Sequence, residues 1–339
     1  MRRIEQLARN GLIYVAGRLF DVEDKLKSEA LEAAVLAGAQ AATTSMGLST
    51  EALATFVPFR DAGQEELVVH DKTRRLFELD LGRLRRTVLL VSYIDGLAKD
   101  EGVCFEIGYV YASGGAVLLI STDFYDVELP NGCLTPLDPL LGATATRLIR
   151  QPRLTTAGGT FREQLEATRA QVLAEVRATT AELLLEPATT PPQFGEPTED
   201  DHRQVFLEFG GDVFEWQTLL QKQLLRLVGH QHHLNFVRSR RYAAEPSLTA
   251  RAAARHDLAA AARAAIAITC TDSDEAPAGT AVIQGIRSAL GRPVWMYNSK
   301  RTAIRAANDY RSSRNLMLDY SATRTFGRLT DLAANLREL

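Results

Sequence analysis

The stretch from Asp95 to Tyr109, DGLAKDEGVCFEIGY, carries four acids in a glycine-punctuated loop that runs into a helical pattern. Glu106 stands apart from the others: Phe105 and Ile107 flank it, and the rest of its helix is small or apolar. A carboxylate in such a setting needs a partner or a purpose. Covalent catalysis at an anomeric carbon is a purpose that suits it: attack on a ribosyl C1′, formation of a glycosyl ester, and departure of a base. A second carboxylate would then manage the proton on the base nitrogen, as in the two-carboxylate chemistry of retaining glycosidases. Asp100 and Asp80 are the acids available for that task. Asp100 also has a structural account, because a carboxylate near a helix start caps free backbone N–H groups and meets the positive end of the dipole.

These acids need elements to hold them. Residues 11–17 have the pattern of a short buried strand ending in glycine, followed by an alanine-rich helical pattern over 23–41. A second short strand falls at 55–58, a charged amphipathic helix at 71–86, and a continuous apolar strand at 88–91, the mark of a sheet covered on both faces. A helix over 103–112 and a strand over 116–121 follow. Strands alternating with helices at this spacing predict a parallel α/β sheet with ligands at the carboxyl ends of its strands.

After a long helix over about 160–185, residues 186–201 are rich in proline, threonine and acids, the composition of an interdomain linker. Beyond it the pattern restarts, with 205–211 resembling the first strand and its glycine. A shift of 177 positions lays Asp80 on Asp257, Asp95 on Asp272, Gly102 on Gly279, Gly108 on Gly285 and Gly114 on Gly291 without a gap, and apolar 88–91 on apolar 265–268. Two related domains are expected, at 1–150 and 204–339, with helix and linker at 151–203.

Other chemistries find less support. The formal charge of −3 is spread among interspersed arginines and acids, so no basic stripe for polymeric nucleic acid stands out. Cys104, Cys133 and Cys270 are far apart and lack CxxC spacing, which fits reduced thiols. Neither a signal peptide nor a spanning helix is expected, and Arg251, Arg255, Asp257 and Arg263 interrupt the alanine-rich stretch 250–267; a soluble, cytoplasmic protein is expected. His230, His232 and His233 follow a leucine-rich run without a carboxylate cluster, so a solvated helix end is expected there and no metal site. The glycine pairs at 114–115 and 210–211 have no GxGxxG or P-loop frame, and turns are expected.

Taken in order, Tyr14 in IYVAG, the FVPFRD strand end at 56–61, Asp80, and the 95–112 segment resemble the nucleoside 2-deoxyribosyltransferase family over roughly residues 11–135. The resemblance implies flavodoxin- or Rossmann-like, doubly wound domains and an intrachain pseudo-dimer, which could assemble into a homo-oligomer. It implies Glu106 as nucleophile, Asp100 and Asp80 positioning and protonating the nucleobase, and Tyr14 orienting Glu106. Arg60 and Asp61 would lie near the base, with Gly17, Arg18, Phe20, Asp95 and Gly102 among the substrate contacts and Arg18 placed for a 5′-phosphate. Family members complete their sites with a neighbouring asparagine; Asn315 in RNLML matches that segment well and Asn131 poorly. In the C-terminal copy Ile283 stands at the nucleophile position, Pro277 at that of Asp100 and Glu208 at that of Tyr14, so one working site per chain is expected, served by Asn315. No cofactor is implied. The expected partners are a nucleoside or nucleotide and a free nucleobase, and the expected reaction is transfer of a (deoxy)ribosyl group between bases, with hydrolysis, or nucleotide binding without catalysis, as alternatives.

Overall fold

The computed structural model describes residues 1–18, 21–50, 53–62, 72–129, 131–156, 159–194, 198–209, 215–229, 233–241, 249–273, 276–299, 304–305, 311–312 and 315–339. The first part of the chain runs α1 (Arg3–Asn10), β1 (Leu12–Ala16), α2 (Val22–Ser45), β2 (Thr55–Phe56), α3 (Pro58–Asp61), α4 (Lys72–Leu84), β3 (Thr87–Tyr93), α5 (Glu101–Ala112) and β4 (Ala116–Ser121). It continues through a hairpin of β5 (Val127–Glu128) and β6 (Leu134–Thr135), then α6 (Pro139–Thr144), β7 (Arg147–Arg150) and α7 (Phe161–Leu185). Parallel pairing gives the order β2-β1-β3-β4-β7.

The second part runs β8 (Gln204–Glu208), α8 (Glu215–Val228), β9 (Asn235–Arg238), α9 (Ala250–Arg263), β10 (Ile266–Cys270), α10 (Ala278–Ala289) and β11 (Val294–Tyr297). The short pair β12 (Ile304–Arg305) and β13 (Arg311–Ser312), α11 (Leu316–Ser321), β14 (Arg324–Phe326) and α12 (Leu329–Arg337) complete it. Its parallel sheet has the order β9-β8-β10-β11-β14, which in each domain's own counting is the same 2-1-3-4-5. Both are doubly wound, flavodoxin-like α/β sheets, in which the strand order reverses between the first and third strands. The shift of 177 lays α5 on α10 and α6 on α11 residue for residue, and β7 on β14 within one residue.

Local chemistry explains where elements stop. Asp21 accepts a hydrogen bond from the Asp24 N–H and starts α2. That helix runs past its expected end to Ser45, and there Thr43, Thr44 and Ser45 donate their hydroxyls to the carbonyls of Ala39, Gln40 and Ala42. The second strand is shorter than its 55–58 pattern because Pro58 has no N–H for the ladder and instead opens a short helix. Ile13, Val15, Leu89, Val91, Leu118 and Ile120 form one core with Leu31 and Val35 of α2 and Val172 and Val176 of α7. Each such fully buried side chain contributes about 1.5–3 kcal/mol.

Contacts divide the chain into two compact units, 1–103 with 110–125 and 145–192, and 104–109 with 126–144 and 193–339. This departs from the contiguous division expected from sequence in two ways. Helix α7, grouped from sequence with the linker in 151–203, packs into the first unit's core. Residues 104–109 in the middle of α5 cluster with the second unit. There, a Cβ added to Gly108 would stand 2.1 Å from the Val282 carbonyl oxygen, and one added to Gly285 would stand 2.0 Å from that of Phe105. The two contacts are counterparts under the shift of 177, and only glycine permits either.

Candidate active site

Alternation along β1 sends Ile13 and Val15 into the core with α2 and α7, so Tyr14 faces the opposite side of the sheet. Tyr14 is fully buried, its ring tilted against Phe56 at 5.3 Å between centroids. Helix α4 buries the stripe Leu76, Phe77, Asp80 and Leu84, which puts a carboxyl group among apolar side chains at helical spacing. Asp80 is 5% exposed, its Oδ1 has no hydrogen-bond partner among the described residues, and burial pushes its pKa up to about 7.

Helix α5 is buried along nearly its whole length. Asp100 caps it, its Oδ1 accepting from the Val103 N–H at 2.9 Å, so the structural account of this residue holds. Glu106 is buried one and a half turns further on. Gly102 lies one turn before it on the same helix face.

At the carboxyl ends of β1 and β3, where the strand order reverses, Ala16, Gly17, Arg18, Tyr93, Asp95 and Asp100 line a cavity of about 220 Å³ closed from the α2 side by Asp24, Lys27, Ser28 and Leu31. The α2 contributors recur at i, i+3, i+4 and i+7, a helical-face signal that the sequence carried but that was not connected with a site. Lys27 and Lys99 extend the polar lining; neither was picked out from the sequence.

The cavity is lined by charges already tied to one another. Asp95 accepts from the N–H and hydroxyl of Thr122, at 2.6 and 2.9 Å, and from Lys27, whose ammonium sits 4.3 Å from the Tyr93 ring centre. Burial works to raise the Asp95 pKa, but Lys27 and Thr122 outweigh it and hold the carboxyl below its ordinary value. In return Asp123 accepts from the Gly96 N–H at 2.7 Å and from Lys99 at 3.1 Å, so the two loops hold each other. In the second domain Asp272 accepts from the N–H and hydroxyl of Ser299, the counterparts of Asp95 and Thr122. A tie present in both domains marks Asp95 first as a loop anchor.

Other residues singled out from sequence lie elsewhere. Arg60 and Asp61 line a separate hollow with Thr55, Phe56 and Arg83. Arg60 grips Glu32 with two hydrogen bonds, 2.6 and 2.9 Å, and also bonds Asp61. Burial would raise the Glu32 pKa, but this guanidinium lowers it. Asn131 sits in the turn of the β5–β6 hairpin, accepting from the Cys133 N–H. Asn315 caps α11, accepting from the Met317 N–H at 2.9 Å. Its counterpart under the shift is Asp138, which accepts from the Leu140 N–H before α6, and not Asn131. Phe20, Gly210, Gly211, His230 and His232 lie outside the described residues. Gly114 has φ +84°, the left-handed turn expected of it. No cluster of metal-ligating side chains occurs among the described residues, and no described helix is long and apolar enough to cross a membrane.

The second domain keeps an aspartate, Asp257, at the position of Asp80 and differs at the other chemical positions. Ile283 replaces Glu106 and Pro277 replaces Asp100. Tyr14 pairs with Leu90, and the residue paired with Leu90's counterpart Ala267 is Phe206, so Phe206, not Glu208, stands where Tyr14 does. Glu208 is the counterpart of Ala16; the first strand of the repeat is offset by 192 positions, and a comparison at constant spacing misses this.

Residues 13–146 match the family model of nucleoside 2-deoxyribosyltransferase. No curated protein gives a significant match. The match supports nucleoside glycosyl transfer as the general chemistry of the first domain, with nucleosides and nucleobases as its substrates.

Proposed function

We propose, taking the family match of residues 13–146 as premise, that the chain transfers a (deoxy)ribosyl group between nucleobases through a covalent ester on Glu106. The observation that carries the reading is Asp80, a buried carboxyl with an oxygen lacking a partner among the described residues, held near neutral pKa on an element that packs beside the buried Tyr14 strand. In the forward half-reaction a Glu106 oxygen bonds C1′, the C1′–N bond breaks, and its electron pair leaves with the base. An acid whose pKa lies near neutrality can give the departing nitrogen its proton and take one from the incoming base, which suits Asp80, with Asp100 as the second candidate. A nitrogen of the incoming base then attacks C1′ and frees Glu106.

The two domains are read as duplicated copies, and the matched strand orders and helix positions support this. Asn315 is assigned to complete the Glu106 site. Its support is the counterpart residue: Asp138 Oδ1 lies 3.2 Å from the position a Cβ on Gly279 would take, at the first turn of the helix equivalent to α5.

The test is chromatography of the purified chain with 2′-deoxyinosine, with and without adenine, beside Glu106→Ala. New deoxyadenosine that disappears in the variant establishes transfer through Glu106. Free hypoxanthine without adenine would make the enzyme a hydrolase. Silence with both nucleosides and their 5′-monophosphates would leave a nucleotide-binding protein and sink the catalytic reading.

A further inference from the structure

The second domain holds a charged cluster that the proposed reaction does not use. Arg241, just after β9, is fully buried. Its guanidinium bonds Glu208 at 2.8 Å and Asp257 at 3.3 Å, all three side chains having no exposure to solvent. It also crowds the start of α10, where a Cβ on Gly279 would lie 2.6 Å from its Nη2.

Three of these neighbours are counterparts of first-domain site residues: Asp257 of Asp80, Gly279 of Gly102 and Glu208 of Ala16. Arg241 therefore stands among the counterparts of Asp80, Gly102 and the cavity-lining Ala16. The arginine has a counterpart too. Thr55 pairs with Ile13 and Phe236 with Val205, and Arg60 and Arg241 each follow five residues later. In the first domain that arginine turns to Glu32 and is half exposed; in the second it turns inward.

The cluster has more acid than base. Asp138 approaches the same Gly279 position, and Glu208 Oε2 has no hydrogen-bond partner among the described residues although fully buried. Burial raises the Glu208 pKa against the pull of Arg241. Burial works the same way on Asp257, but His256, Arg241, Ser239 and the Arg240 N–H bring it below its ordinary value. A buried cluster in which, among the described residues, Glu208 and Asp257 both meet the one Arg241 guanidinium is built around that cation and is cation-seeking without it.

We propose that Arg241 is an internal ligand: its guanidinium permanently fills the site of the second domain, and the class of molecule that site recognises is a planar guanidinium or amidinium cation. The first domain's site stays open because its equivalent arginine is held outside by Glu32. The proposal rests on the second domain's own geometry and stands whether or not the first domain proves catalytic.

The test uses the full chain carrying Arg241→Ala, which empties the site. Thermal unfolding and calorimetric titration are followed with methylguanidinium, against tetramethylammonium at equal ionic strength. Millimolar binding of methylguanidinium alone is expected, with a rise in Tm that follows its concentration, no rise in the unsubstituted chain, and loss of the effect when Glu208→Gln is added. If Arg241→Ala does not fold unaided, recovery of folded chain on refolding in methylguanidinium takes the place of Tm. No binding to the folded variant, equal recovery with the two cations, or an undiminished effect in the Glu208→Gln background would each overturn the proposal.

Discussion

Asp80 and Asp257 occupy the same position on equivalent helices of two domains with one strand order, and both are buried, yet their surroundings are opposite. Asp257 accepts from Ser239, from the Arg240 and Arg241 N–H groups and from the Arg241 guanidinium. Asp80 has an oxygen without a partner among the described residues, and burial pushes its pKa to about 7. The difference separates what burial of a carboxylate can mean: where partners are supplied it belongs to the scaffold, and where they are withheld the fold bears a cost that only a reaction or a ligand accounts for.

The sharpest challenge to this contrast is at the nucleophile position. Glu106→Gln should lower transfer by about 10,000-fold or more, the scale of losing a covalent catalyst, while Ile283→Glu should yield no second activity because Arg241 occupies that site; initial rates on both variants decide it. Next in size are the paired substitutions Asp80→Asn and Asp257→Asn, expected to have opposite signs. Removing the ionised Asp257 leaves Arg241 short of a buried partner and should cost about 3–5 kcal/mol. Asp80 binds its proton more tightly folded than unfolded, so its carboxyl destabilises the fold increasingly as pH rises from about 4 to about 7. Asp80→Asn should therefore stabilise the chain above pH 7 by up to about 4 kcal/mol, a gain that vanishes below pH 4, while activity is lost. Urea titrations at pH 4, 6 and 8 read both, and two destabilising results would remove the contrast.

Asn315→Ala and Asp138→Ala come next. Each loses a helix cap, costing about 1 kcal/mol, but Asn315→Ala alone should also lose about 10- to 100-fold in kcat/KM, the worth of one substrate hydrogen bond. Equal kinetics would confine Asn315 to capping. The smallest effects are expected at Asp95→Ala and Asp272→Ala, which break the same loop tie and should cost the same, about 1–2 kcal/mol each, in thermal unfolding; a much larger loss of substrate affinity at Asp95 would restore it as a binding residue.

The α/β alternation, the matching helix positions of the two domains and the Glu106 helix were legible because each is local: a run of apolar residues, a fixed spacing, a carboxylate between Phe105 and Ile107. The match between the domains was legible only where its spacing is constant. Insertions change the offset in the first two strands, which hid Phe206 as the counterpart of Tyr14 and Arg241 as that of Arg60. The Glu208–Arg241–Asp257 cluster was illegible for a different reason: its members come from β8, the turn after β9, and α9, and no spacing links them. The tie of Asp95 to Thr122 was illegible because an acid in a loop looks the same in sequence whether it meets a substrate or a neighbouring loop.

The glycine crossing between α5 and α10 bears on modularity. Residues 104–109, Glu106 included, cluster with elements that come after residue 125 in the chain, so the family-matched segment is not a cassette that can be cut out and grafted. A shortened gene ending near the proline-rich stretch would encode Tyr14, Asp80, Asp100 and Glu106 and still leave residues 104–109 without the elements they cluster with.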